Sequence, residues 1–470
     1  MRRLLPFVCL MFASPLFAQA DRYELGRRAH AFEVAWDEKA DDAAAKKRAA
    51  PLVNKAVQQF YMLKLDGAAR ELDAARHALD SADPAPAAVK WADSLQVIPE
   101  ARMVDASAAD MTVTVKRFYK PDVEAPGSPV VRMKLGTGKA VEMPLGLLPA
   151  KIKVPVKDVP GTASADFKLT AEILVDGKVL ATRVIGVSRV EKLAERLAGV
   201  KKSFAEVPIP PKTIEDASFG LLVKTLSDTM KKEPPETDLP LSRFLFGAER
   251  LSKIDEPYYL PSRPGEFWLS IPTEKAKTGT VIRIRIPAKL EERKDPVPVL
   301  VALHGINGSE NAFFDGYGNG IIPRLASERG WIVIAPRAEG LLGAGPAPPV
   351  AAILDALAKR YPIDPKRVYL LGHSIGAAHV VKAAQKDPGR YASIAALGGG
   401  GEITKPEALK DVPFFVGCGK LDAGLKDARA LRQTLTDAKV PCTLKEYDDV
   451  EQILIVRESA DDVFKFFDKK

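Results

Sequence analysis

The sequence predicts a multidomain protein in which helical and small antiparallel β-sandwich segments precede a C-terminal α/β domain built on a mostly parallel, doubly wound sheet. Three observations carry that expectation. The chain has 470 residues, more than one hydrophobic core usually organises, and roughly 150 residues per domain makes about three units. Residues from about 96 to 190 consist of short runs of alternating polarity, two of them separated by a single Asp-Gly pair. From Pro298 onward apolar strand-like runs alternate with helical patterns, as in parallel strands joined by crossover helices.

The composition is 46% hydrophobic and 28% charged, enough apolar surface to offset the entropy of ordering the chain. The formal charge of +8 is spread without a block of five like charges, which describes a solvated surface and excludes a nucleic-acid footprint. Residues 1–20 combine Arg2 and Arg3, the apolar run Leu4 to Phe17, and Ala18-Gln19-Ala20. That order is a signal peptide, so export to the periplasm or the extracellular space is expected. The run is shorter than the roughly 20 residues that span a bilayer, and no other run approaches that length, so no transmembrane segment is expected after its removal. Cys9 falls inside the run as an apolar residue. Of the remaining thiols, Cys418 lies near the end of one expected strand and Cys442 at the start of its neighbour, which places them beyond the reach of a disulfide.

Residues 21–95 are rich in Ala, Lys, Glu and Leu, and Val57, Phe60, Leu63 and Leu65 are spaced for helical faces. Asp83-Pro-Ala-Pro-Ala ends that region. Between 96 and 190 the runs Met111-Thr-Val-Thr-Val and Lys151-Ile-Lys-Val-Pro-Val alternate, and Asp176-Gly177 between Leu169–Val175 and Val179–Val187 predicts a hairpin with a type I′ turn. Over 191–264, Leu193, Leu197, Val200 and Phe204 recur at helical spacing, and Thr213 with Asp216 forms a capping box that opens a second helix. None of these segments clusters Cys, His or carboxylates at metal-ligand spacing, so no metal or cofactor is expected. His30 and His77 stand alone in charged helical surroundings and are expected on the surface.

The chemistry lies in residues 265–470. Pro298–Leu303 is a continuously apolar strand that enters His304-Gly305-Ile306-Asn307-Gly308, and Trp331–Ala335 enters Pro336-Arg337. A helix over Val350–Arg360 and a strand over Val368–Leu371 lead to Gly372-His373-Ser374-Ile375-Gly376 and another helix. A G-x-S-x-G string between strand and helix is a nucleophile elbow: the serine sits on a cramped turn where a side chain at Gly372 or Gly376 would clash. The elbow also places the Ile375 amide at a helix N-terminus, where it can meet negative charge developing on a carbonyl oxygen, and the His304-Gly305 loop offers the Ile306 amide as a second donor. His304 before Gly305 is expected to shape that loop or serve as a base, whereas His373 is expected to point away from the serine hydroxyl and His379 to be packed. The strand Val412–Gly417 is followed by Asp422, where a triad acid belongs, and Cys442–Tyr447 is followed by Asp448-Asp-Val-Glu-Gln452. No histidine occurs after His379.

The region from about 265 to 470 resembles secreted bacterial α/β-hydrolase esterases of the dienelactone hydrolase and polyester-depolymerase-like group, through LVALHGINGSE, WIVIAPRA, YPIDPKRVYLLGHSIGAA, FFVGCGKLD and EYDDVEQILIVRESADDVFKFFD. The resemblance implies hydrolysis of a small-molecule ester or related acyl substrate, with Ser374 as nucleophile, Asp422 as acid and the Ile306 and Ile375 amides as the oxyanion hole. Gln452 stands where the family histidine would be. An isolated serine hydroxyl is a poor nucleophile at neutral pH, and glutamine does not titrate. Three readings follow: a serine esterase, weak or with its base from elsewhere, such as His304; an inactive α/β-hydrolase-fold pseudoenzyme acting as a binding module in the cell envelope; and a peptidase of the prolyl-oligopeptidase kind, for which about 95 residues of β pattern are too few to make a propeller. The Gly- and Pro-rich loop Gly340–Pro349 is expected to border the pocket.

Overall fold

The computed structural model describes residues 19–469 apart from 158, 163, 232–235, 254–256, 274–275 and 340–344. Residues 1–18 of the expected signal peptide, Cys9 included, lie outside the described residues. Four helices come first: α1 (Gln19–Glu38), α2 (Ala43–Tyr61), α3 (Leu65–Asp80) and α4 (Ala87–Asp93). Asp42 caps α2 by accepting the Ala45 amide at 2.9 Å. Leu63, expected on a helical face, instead forms the turn between α2 and α3 at φ +61° and is 46% exposed. The two helices pack side by side and need a tight reversal there, which overrides its apolar spacing.

Eight strands follow: β1 (Leu95–Pro99), β2 (Met103–Asp105), β3 (Asp110–Arg117), β4 (Val130–Leu135), β5 (Val141–Pro144), β6 (Ala150–Pro155), β7 (Ala165–Val175) and β8 (Lys178–Val190). They form a three-stranded sheet, β1-β3-β6, and a five-stranded sheet, β2-β8-β7-β4-β5, around a shared core that includes Val113, Val131 and Ile173. Burial alternates along β3, as one face of a sandwich sheet requires. Asp176 and Gly177 both have positive φ, 49° and 73°, which the type I′ turn demands. The β2–β8 pair is parallel, the remaining pairs antiparallel. Helices α5 (Leu193–Phe204), α6 (Ile214–Met230) and α7 (Leu241–Ser252) come next, and the Thr213–Asp216 capping box is formed in both directions, at 3.1 and 3.2 Å.

The C-terminal region contains β9 (Gly265–Thr273), β10 (Ala276–Ile286), β11 (Val297–Leu303), α8 (Ile321–Glu328), β12 (Ile332–Pro336), α9 (Val350–Ala358), β13 (Ile363–His373), α10 (Ile375–Lys386), β14 (Ser393–Leu397), β15 (Phe414–Gly419), α11 (Leu425–Asp437), β16 (Cys442–Tyr447) and α12 (Ile455–Phe467). One eight-stranded sheet has the order β9-β10-β12-β11-β13-β14-β15-β16. β9 and β10 run antiparallel at one edge and the strands from β12 to β16 pair in parallel. β11, β12, β14 and β15 are buried at every position, whereas the edge strand β16 alternates. In the β15–β16 register Cys418 faces Glu446 and Cys442 faces Phe414, and both thiols are free.

Helices cover both faces. One face packs on α9, α10 and α11 through residues such as Leu357, Val380 and Leu431. The other packs on α8 and α12, and the same apolar cluster runs on into α1, α2 and α3 through Phe32, Trp36, Val53 and Leu72. The N-terminal helices therefore sit directly on the C-terminal region, which places α1 and α2 over the ends of the strands.

Candidate active site

The turn between β13 and α10 holds Ser374 at φ 56° and ψ −119°, a conformation that costs a non-glycine residue free energy and is maintained by its surroundings. Its amide donates to the Leu397 carbonyl at 2.8 Å, which ties the turn to β14. A Cβ on Gly372 would lie 2.1 Å from the Gly376 carbonyl oxygen, and one on Gly376 would lie 2.0 Å from that of Leu303. Neither position accepts a side chain, and Ser374 is thereby pushed out above the sheet. Ile375 is the first residue of α10, so its amide has no acceptor one turn back.

Ser374 lines a cavity of about 510 Å³ together with His373, Gly305, Ile306, Gln452 and residues of α1 and α2. Gln452 Nε2 donates to Ser374 Oγ at 2.9 Å, and Tyr61 Oη donates to Gln452 Oε1 at 2.6 Å. Tyr61, Gln452 and Ser374 therefore form a hydrogen-bonded chain that ends on the serine oxygen. Every member of that chain is neutral. Partial burial, with the nearby Glu451 and Asp422 charges, pushes the Tyr61 phenol up to about 12, so its oxygen keeps its proton at ordinary pH.

Asp422 follows β15, behind the cavity wall, and is 5% exposed. Its Oδ1 accepts the Gly424 amide at 2.7 Å, while Oδ2 is buried with no hydrogen-bond partner among the described residues. Burial raises its carboxyl to about 6. Its neighbour Glu451 is 1% exposed and is raised by burial to about 8, partly offset by the Ile453 amide at 3.0 Å.

The imidazoles are engaged elsewhere. His304 accepts the Ala338 amide at Nε2, 3.0 Å, so its proton is on Nδ1, which donates to the Gly305 carbonyl at 2.8 Å. Both nitrogens shape the loop, and the base role weighed for His304 is thereby excluded. His373 donates from Nε2 to the Gln452 carbonyl at 2.9 Å, and burial depresses it to about 4. His379 is buried in α10. His77 bonds Asp93 at 2.7 Å. His30, expected on the surface, lines the Ser374 cavity with Nδ1 buried and unpartnered among the described residues. Helix α1 is not solvated but lies against the C-terminal region, which turns His30 toward the cavity.

Two aromatic residues carried no sequence signal. Tyr317 accepts the Gly305 amide at 3.2 Å and packs on the His373 ring at 4.5 Å, supporting the loop that presents Ile306. Tyr61 holds Gln452, which in turn donates to Ser374. Of the loop Gly340–Pro349, residues 340–344 lie outside the described residues. Among the described residues no group of His, Cys, Asp and Glu is arranged to hold a metal ion, and no helix is long and apolar enough to cross a membrane.

The buried carboxyls give a pH-dependent stability. Glu451 and Glu33 are both raised to about 8 by burial, whereas in the unfolded chain such groups titrate near 4. The folded state holds the extra protons, so this stabilisation is complete at low pH and is lost as pH rises through about 8. The depressed histidines act below neutrality and do not oppose it there. The thermal midpoint is expected to fall between pH 7 and 8.5, and to fall less in Glu451→Gln. A midpoint that is flat or rising over that range would show these carboxyls to be ionised.

The strand order, with a serine on the strand-to-helix turn after its fifth strand, defines an α/β-hydrolase fold. No protein-family profile matches the sequence. Over 143 residues, 29% of this chain, it is 29% identical to a bifunctional acetylxylan esterase/xylanase, XynS20E, of Neocallimastix patriciarum, of which it spans about a fifth, 20%. Among solved structures it is similar to a ferulic acid esterase (16% identity, 44% of this chain and 99% of that one, TM-score 0.38). It is also similar to an S-formylglutathione hydrolase from Staphylococcus aureus (15%, 44% and 99%, TM-score 0.36) and to a thermostable esterase (13%, 80% and 99%, TM-score 0.39).

Proposed function

We propose that this chain is an exported α/β-hydrolase-fold protein that binds a carboxylic ester or related acyl compound at Ser374 and hydrolyses it slowly. The observation that carries the reading is the 2.9 Å bond from Gln452 Nε2 to Ser374 Oγ. An amide donor stands where a base would accept the serine proton. The elbow, the Ile375 amide at the start of α10 and the Ile306 loop support acyl recognition, because they remain suited to a carbonyl oxygen that gains negative charge. Asp422 Oδ2, buried without a hydrogen-bond partner among the described residues, supports the reading in which an imidazole would stand between it and Ser374. Without that base, turnover lies roughly 10⁴–10⁶ below a complete triad, yet above the level of water alone because the oxyanion donors remain. The reading as an envelope binding module is the limit of the same site in which turnover is negligible. The peptidase reading loses its support, since the β-rich segment is two packed sheets of three and five strands. The residues 1–20 are the support for export.

Labelling with a fluorophosphonate tests the reading. Native protein is expected to label at Ser374 over hours, and Ser374→Ala not at all. Equal labelling of both proteins would remove Ser374 from the site.

A further inference from the structure

We propose that the Ser374 cavity selects an ester whose apolar chain carries a carboxylate, with Arg22, Arg27 and Lys168 holding the carboxylate and the α1–α2 wall holding the chain. The inference rests on the ester-binding reading above and adds the class of ester. Two unlike groups of side chains line the cavity. One is apolar: Leu25, Ala29, Ala56, Phe60 and Leu72 belong to the cluster that joins α1, α2 and α3 to the C-terminal region. The other is charged and gathers around Asp238. That single carboxylate meets Lys168 at 2.8 Å, Arg27 at 3.4 Å and the buried Arg102 at 3.5 Å, and also accepts the Tyr23 hydroxyl at 2.6 Å and the Gly186 amide at 2.8 Å.

Three cations on one carboxylate leave positive charge uncompensated. Arg22 adds to it, because its guanidinium donates to a carbonyl, that of Asn307, at 3.1 Å. The other acids of the wall do not cancel the excess. Asp315 is matched by Arg283 at 3.0 Å, and Glu236, which bonds Ser309 and Asn311, is one charge against Arg22 and the surplus at Asp238.

The geometry links this charge to the reacting position. Asn307 directly follows Ile306, so the Arg22 head sits on the same loop that offers the oxyanion amide. Arg22, Gly26 and Ala29 are spaced i, i+4, i+7 and share one face of α1, which leads from the charged group to the apolar one. A carboxylate arriving there receives charge-assisted and, from arginine, bidentate hydrogen bonds, which a neutral ester end does not. An ester held at Ser374 thus meets cations a short chain away.

Slow turnover makes the native protein suitable for equilibrium binding. Calorimetric titration with monomethyl adipate and with methyl hexanoate compares two methyl esters of matched acyl length that differ in one terminal carboxylate. Monomethyl adipate is expected to bind at least tenfold more tightly at low ionic strength, with the ratio shrinking at roughly 0.5 M salt as the charges are screened. Arg22→Gln, and separately Lys168→Gln at a largely exposed position, are expected to lower that ratio at least threefold. Equal affinity for the two esters, or a ratio that neither variant changes, overturns the carboxylate preference and leaves an ester site in place. Binding of neither ester overturns the ester-binding reading itself.

Discussion

In Gln452→His, kcat/KM for short p-nitrophenyl esters is expected to rise by roughly 10²–10⁴, the span that a positioned general base contributes. The native geometry fixes the serine end of the missing relay. Gln452 Nε2 lies 2.9 Å from Ser374 Oγ, so a histidine on the same backbone brings its Nε2 to the serine as an acceptor. Asp422 Oδ2, buried without a hydrogen-bond partner among the described residues, is the proposed acceptor for the imidazole Nδ1–H. The imidazolium formed during attack would also stabilise the Asp422 carboxylate, whose raised value of about 6 comes chiefly from burial. Tyr61 loses its acceptor in this variant, and Tyr61→Phe in the same background removes that unmet hydroxyl. The pH profile separates a base from a merely structural repair: activity of the histidine variant should rise with pH through an imidazole-like pKa near 6.5, and native activity should not. An unchanged rate in a variant with native circular dichroism and thermal midpoint would mean that the loop after β16 does not present residue 452 to the serine.

The parts of this site legible in the sequence are those whose geometry is local. Gly372, Ser374 and Gly376 define the elbow within five residues, because the steric demand that selects glycine acts between atoms of the same turn and the adjoining strand. The buried strands β11, β12 and β15 announce themselves as apolar runs, and the Asp176-Gly177 turn by its two positive φ values. Strand β14 and the antiparallel pair β9–β10 carry no such local signal, since their place depends on partners distant in the chain. Tyr61 is the clearest case. It ends α2 and meets Gln452 across 391 positions, and nothing in Gln-Phe-Tyr-Met distinguishes it from any helical end. His30 is hidden for the same reason: a charged helix has a solvated pattern whether or not a distant segment packs on it.

Arg28→Met is expected to destabilise the protein by about 3–5 kcal/mol, a large share of the roughly 5–15 kcal/mol that holds a typical domain together. Arg28 is 5% exposed and ion-paired with Glu24 at 2.9 Å and with Asp73. It also donates to the carbonyls of Asp93 at 2.7 Å and Leu95 at 3.0 Å, which bind α1 to α3, to the end of α4 and to the start of β1. Methionine replaces much of the volume but leaves Asp73 as a buried charge whose remaining partner is the Tyr119 hydroxyl at 2.8 Å. Most of the loss therefore comes from the abandoned carboxylate rather than from the pair itself, and Arg28→Met with Asp73→Asn should recover part of it. Urea unfolding of the native, single and double variants measures this directly, and a single variant within about 1 kcal/mol of native would show the pair to be solvated in solution. The effect should reach the active site. Arg22 and His30 lie on the same helix as Arg28, and α2, which ends in Tyr61, packs on α3, so loosening this anchor frees the roof of the cavity. Fluorophosphonate labelling of Arg28→Met, under conditions where it remains folded, should then be faster than native, because Tyr61 no longer holds Gln452 against the serine hydroxyl.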